Sequence, residues 1–140
     1  MVRINLISPR KLADQHLIAE YNEILKLIGH LKKHPEIKSQ PDSYCLGKGH
    51  INFFKNKLVY LKERHNLIKK EMKKRGFKAG KTFDLRIFKK ELRNNWKPCK
   101  KDKEIIKKRL IYKLELKPKF YSYYREKKSL EFYKKLIQEK

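Results

Sequence analysis

Two groups in this 140-residue chain have the types and spacing for imine chemistry: the α-amine that residue 2 would carry, and the carboxylate of Glu23. Val2 follows Met1, and a small residue there permits removal of the initiator methionine. The amine so released would sit beside Arg3. An α-amine has an ordinary pKa of about 7.7–8.0, against about 10.4 for lysine, so far more of it is unprotonated near neutrality. A neutral amine attacks an aldehyde-type carbon and forms a Schiff base. A carboxylate beside that carbon would stabilise the cationic imine. Taken alone, a helical glutamate such as Glu23 is as a rule a solvated surface charge, so the elements that would carry it matter.

Leu17, Tyr21, Ile24, Ile28 and Leu31 recur at spacings of four and three, one apolar stripe of a long helix. Ser8-Pro9 reads as its N-cap and first-turn proline, with Asp14 a second possible cap. His34-Pro35 should end it, because the residue before proline avoids helical dihedrals. His16, Glu20, Glu23, Lys26 or Leu27, and His30 would share a different face of that helix. Residues 35–48 read as a loop. Ile51, Phe54, Leu58, Leu61, His65, Ile68 and Met72 then form an unbroken stripe, predicting one helix from near Gly49 to a C′ glycine at Gly76, with Phe77 folding back. After an irregular stretch over 78–100, a third helix is expected from Asp102 to Leu116, then an aromatic run from Phe120 to Tyr124. The tail from Ser129 reads as a short amphipathic helix. No stretch alternates as a strand does, so the fold is expected to be all-α, with three principal helices around one core, in a single domain covering 1–140 with a tail at 129–140.

Charge narrows the partners. Thirty-nine Lys and Arg against 15 Asp and Glu leave a net charge of +24. Self-repulsion at that density disfavours the compact state unless an anion relieves it, and nucleic acid is the expected anion. Lysine enrichment from an AT-rich genome would contribute, but it does not explain why acids are sparse. Cys45 and Cys99 lie far apart without a CxxC motif, so no disulfide framework is expected. No apolar run is long enough to cross a membrane, and no signal-peptide core is present. A cytoplasmic protein is expected. His30, His34, Cys45 and His50 are an inventory that could ligate zinc, but their spacing fits no zinc module, and no metal is expected.

Three blocks carry a resemblance. The first is Arg3-Ile4-Asn5-Leu6 followed by Leu12 to Glu23. The second runs Leu46-Gly47-Lys48-Gly49-His50-Ile51-Asn52-Phe53-Phe54 and on to Lys74-Arg75-Gly76-Phe77. The third is Arg109-Leu110, Lys113, Pro118 and Phe120-Tyr121-Ser122-Tyr123-Tyr124. In this order they resemble the pyrimidine-dimer DNA glycosylase/AP lyases of the phage endonuclease V type. The resemblance spans nearly the whole chain and weakens over 78–100.

The resemblance implies an all-α domain with its N-terminal segment packed between helices. Val2 would supply the nucleophilic amine and Glu23 the essential carboxylate. Arg3, Gln15, His16, Asn22, Lys26, Arg109, Lys113, Tyr121, Tyr123 and Tyr124 would contact DNA. Asn22 and Lys26 stand where the family has arginines; asparagine cannot neutralise a phosphate and lysine offers no bidentate fork. The aromatic run divides evenly between packing and base stacking. The expected substrate is duplex DNA containing pyrimidine dimers or abasic sites, cut by a monomer without a cofactor, in the cytoplasm at the nucleoid, or in the host cell if the protein is viral. Two alternatives stay open: a lyase acting mainly on abasic or oxidised sites, and a non-catalytic basic nucleic-acid-binding protein.

Overall fold

The computed structural model describes residues 3–139, so Val2, the expected nucleophile, lies outside the described residues. Five α-helices follow one another: α1 Asp14–Lys33, α2 His50–Phe54, α3 Leu58–Lys74, α4 Lys100–Leu116 and α5 Leu130–Gln138. Three-residue 3-10 turns stand at Pro9–Lys11, Leu85–Ile87 and Lys90–Leu92, and no strand occurs among the described residues. The three principal helices expected are α1, α3 and α4; α5 makes a fourth.

Helix α1 packs on α3 and α4 on α5. The α1 stripe Leu17, Tyr21, Ile24, Ile28 and Leu31 is buried against Leu58, Leu61, Ile68 and Met72 of α3. Ile106, Leu110 and Leu114 of α4 and Tyr133 and Ile137 of α5 complete the core. Removing these side chains from water is the main favourable term of the fold.

Two expectations are corrected. Ser8-Pro9 opens a 3-10 turn rather than α1, which begins at Asp14 after Ala13. Asp14 does not cap α1, because its carboxylate is engaged elsewhere. The stripe from Ile51 to Met72 is also broken into α2 and α3. Lys57 pairs with Arg93 in an isolated antiparallel bridge, and the Val59 N–H donates to the Asn94 carbonyl at 3.2 Å. Apolar periodicity survives the break because both helices face one core; what interrupts the helix is a distant segment that sequence spacing does not reveal.

Other signals read true. The Phe77 N–H donates to the Met72 carbonyl at 2.8 Å and the Gly76 N–H to Lys73 at 3.0 Å, a Schellman stop with Gly76 at φ 84°. Ser129 caps α5 by accepting from the Phe132 N–H at 3.2 Å.

The segment Arg3–Ile7 is buried. The Arg3 Nε–H donates to the Leu46 carbonyl at 2.6 Å. The Ile4 N–H donates to His50 Nε2 at 3.0 Å, and its carbonyl accepts from the Tyr44 hydroxyl at 2.8 Å. Asn5 Nδ2 donates to Glu20 at 2.9 Å. Leu6 then turns at φ 60° under a 2.6 Å hydrogen bond from the Ile7 N–H to the Asn5 carbonyl. A non-glycine residue there is strained, so its surroundings must over-determine it.

Candidate active site and nucleic-acid interface

The outer face of α1 opens onto two cavities. The first, of about 170 Å³, is bordered by Arg3, Asn5, His16, Ala19, Arg109, Lys113 and Tyr121. Five of these are predicted site residues, drawn from the N-terminal segment, α1, α4 and the aromatic run. Two guanidiniums and an ammonium here face one small space. Burial, then Arg3, pulls Arg109 below its ordinary pKa. Such convergence is unfavourable in the free protein and is relieved by an anion of phosphate size. His16 stacks at a tilt on Tyr121, ring centroids 4.7 Å apart. Burial, with Arg109 and Lys113 adding to it, lowers His16 to about 4, so it is neutral at pH 7.

Glu23 lies one helical turn beyond Ala19. It borders the second cavity, of about 280 Å³, with Lys26, His30, Lys48, Ile51 and Asn52. Its side chain is half-buried and opens to the surface. Asn22 and Lys26 also border a separate groove with Leu25, Lys81 and Thr82. Expected contacts therefore fall into two sets: Arg3, His16, Arg109, Lys113 and Tyr121 around one cavity, and Glu23, Lys26 and Asn22 further along α1.

Glu20 departs from its expected place on this open face. It is fully buried. Arg64 grips it with Nε and Nη2 at 2.7 and 3.0 Å, and Asn5 donates to the same carboxylate. Burial opposes the charge on Arg64, but Glu20 overrides it and holds the guanidinium above its ordinary pKa. Arg64 also donates to the Ile7 carbonyl. This pair carries the N-terminal segment. Its only sequence signal was a glutamate one turn before Glu23 and an arginine within α3; nothing in the spacing joined them.

Asp14 organises the other edge. Its carboxylate accepts from Arg75 Nη1 at 3.0 Å, the Ser122 hydroxyl at 2.8 Å, and the Tyr124 and Arg125 N–H groups at 3.1 and 2.7 Å. Tyr124 and Arg125 take φ 50° and 67°, turning both N–H groups onto one acceptor. Gln15 holds Ser122 through its N–H at 2.9 Å and its hydroxyl at 3.2 Å. Gln15, expected at the DNA, thus spends its amide on fixing the aromatic run.

That run is divided. Tyr121 borders the cationic cavity. Tyr123 and Tyr124 instead pack side by side on Arg75, whose Cζ lies 4.6 and 4.8 Å from their ring centroids. Their hydroxyls donate to the Arg10 carbonyl and Glu71. Phe120 is 54% exposed.

Cys45 and Cys99 are free thiols, and no three His, Cys, Asp or Glu converge among the described residues. No helix among them is long and apolar enough to cross a membrane.

Residues 1–85 match the protein family described as pyrimidine dimer DNA glycosylase. The match takes in the N-terminal segment, α1, α2 and α3, and so Arg3, His16 and Glu23. Arg109, Lys113 and Tyr121 lie beyond it, yet they close the same cavity. A carboxylate-bearing helix face, a phosphate-sized cluster of cations and a family match over more than half its length agree: the chain belongs to the pyrimidine dimer DNA glycosylases, enzymes of excision repair that act on damaged DNA.

Proposed function

We propose that the chain, once Met1 is removed, uses the α-amine of Val2 to attack C1′ of the 5′ nucleotide of a cyclobutane pyrimidine dimer. The C1′–N bond breaks and the base leaves with the electron pair, taking a proton. Opening of the sugar ring yields the imine. Loss of a C2′ proton then drives β-elimination: the C3′–O bond breaks and the phosphate departs on the 3′ side. Glu23 stabilises the charge developing at the sugar and imine. Arg3, Arg109 and Lys113 hold the flanking backbone phosphate, and neutral His16 and Tyr121 wall that subsite. Extrusion of a nucleotide is cheapest where pairing is already damaged, which favours the lesion.

The observation that carries this reading is the meeting of Arg3, His16, Arg109, Lys113 and Tyr121 at one cavity, a helical turn from Glu23. A monomer is the proposed acting form. Duplex DNA with dimers or abasic sites is the substrate, wherever the cell or virus keeps its DNA. The full +24 charge supports scanning of undamaged duplex by non-specific phosphate contacts. The exposed Asn22 and Lys26, where the family carries arginines, favour a second reading in which abasic sites are cut faster than dimers.

Borohydride trapping on dimer and abasic duplexes side by side tests both. A covalent adduct with each supports the proposal. An adduct with abasic DNA alone supports the second reading. No adduct with either leaves a non-catalytic DNA-binding protein.

A further inference from the structure

The N-terminal segment is held more tightly at residue 4 than core packing requires. Ile4 is fully buried, and both halves of its backbone meet side chains from the loop and helix 40 and 46 residues away. The His50 tautomer is fixed by its partners. Nε2 accepts the Ile4 N–H, so the ring proton sits on Nδ1 and is donated to the Cys45 carbonyl at 2.8 Å. Burial, with Arg3 and Arg109 adding, keeps His50 near 4 and therefore neutral, the only form that can accept that N–H. Burial also raises the Tyr44 hydroxyl far above the physiological range, so it stays a donor to the Ile4 carbonyl.

The two rings brace each other edge to face, centroids 5.5 Å apart, and Phe54 meets His50 the same way at 5.3 Å. Gly49 lets the loop close over them: a Cβ at that position would stand 2.3 Å from Pro41 Cγ. One residue on, Asn5 is tied to Glu20, and Leu6 takes its strained turn. Ile4 is therefore gripped from both sides of the chain.

We infer that Tyr44 and His50 are positioning residues for the reaction, locking the peptide groups of Ile4 and thereby fixing where the N-terminal nucleophile stands over the damaged sugar. The inference rests on the reading of Val2 as nucleophile. Each trans peptide step spans about 3.8 Å between Cα atoms, so the clamp acts within about 8 Å of the reacting nitrogen. Attack demands a separation of about 3–3.5 Å, and a misplacement of about 1 Å can cost on the order of a hundredfold in rate.

The test uses His50→Leu, His50→Gln and Tyr44→Phe in the full chain. Gln can accept from the Ile4 N–H and donate to the Cys45 carbonyl; Leu can do neither. Single-turnover trapping is followed on an abasic duplex at saturating enzyme. Affinity is measured separately on a duplex carrying a non-reactive tetrahydrofuran abasic analogue, and folding by thermal melting. The expected result is a trapping rate at least tenfold lower in His50→Leu, about threefold lower in Tyr44→Phe and within threefold of wild type in His50→Gln, with affinity for the analogue unchanged in all. Wild-type trapping rates at saturation in the folded Leu and Phe variants would overturn the inference, as would a loss confined to affinity. If His50→Leu fails to fold, Tyr44→Phe, which deletes one oxygen, decides alone. Failure of the wild type itself to trap would overturn the nucleophile assignment, and this inference with it.

Discussion

Glu20 and Glu23 stand three residues apart on α1 and meet opposite environments. Glu20 faces inward with no exposed surface, held by Arg64 and Asn5. Glu23 is half-exposed beside a 280 Å³ cavity. The inner face spends its carboxylate on neutralising a buried guanidinium and anchoring the N-terminal segment. The outer face leaves its carboxylate at the rim of a cavity, the place proposed here for substrate. Identical chemistry one turn apart thus serves the fold at Glu20 and is free for the proposed reaction at Glu23, according to burial and partner.

The contrast breaks most visibly at Arg64. Arg64→Ala strands a buried carboxylate and should cost about 3–5 kcal/mol of stability; thermal melting near the wild-type temperature would show that the inner pair carries little. Glu23→Gln should do the reverse. Strand cleavage should fall by on the order of 10²–10³-fold, about 2.7–4 kcal/mol in transition-state terms. Its melting temperature and affinity for damaged duplex should stay near wild type, as a gel assay and a binding titration would report. Normal cleavage would return Glu23 to the ordinary surface.

Smaller effects sharpen the comparison. Arg109→Ala with Lys113→Ala should weaken binding by about tenfold and lower the slope of log affinity against log salt by about two. An unchanged slope would take both cations out of the DNA footprint. Acidity provides the mildest probe. Burial lowers His16, His50 and His65 from 6.5 to about 4. Between those values the folded chain binds fewer protons than the unfolded one, so stability rises with pH. That contribution is complete above about pH 6.5 and is lost as pH falls towards 4. Between pH 7 and 6 the loss should be on the order of 1 kcal/mol, after allowance for the solvent near His16. A melting temperature flat across that range would mean that these rings are not neutral in the fold.

Much of this was legible in residue order. Periodicity located α1 and the amphipathic tail located α5 because each buries one stripe, and Gly76 stopped α3 by local backbone geometry alone. The break at Lys55–Lys57 was illegible, since it depends on Arg93 and Asn94 arriving from elsewhere. The site divides in the same way. The resemblance named Arg3, His16, Arg109, Lys113 and Tyr121, and folding brings these to one cavity. It did not mark Arg64, Asn5, Tyr44 or His50 as holding the segment behind that cavity. Their roles are long-range hydrogen bonds, which leave no periodic trace. The tyrosine run divided for a related reason: Tyr123 and Tyr124 are drawn onto Arg75, Arg10, Glu71 and Asp14, partners that only tertiary packing brings to them.

The stapling of Ser122, Tyr124 and Arg125 to Asp14 reaches beyond packing. A ribosome delivers the α1 end first and these residues long after it. Until they emerge, the cationic cavity lacks its Tyr121 wall and α1 lacks its outer brace. The growing polypeptide therefore exposes α1 before the cationic cavity is finished, and a grip on DNA can form only once the segment 121–125 closes onto the start of that helix.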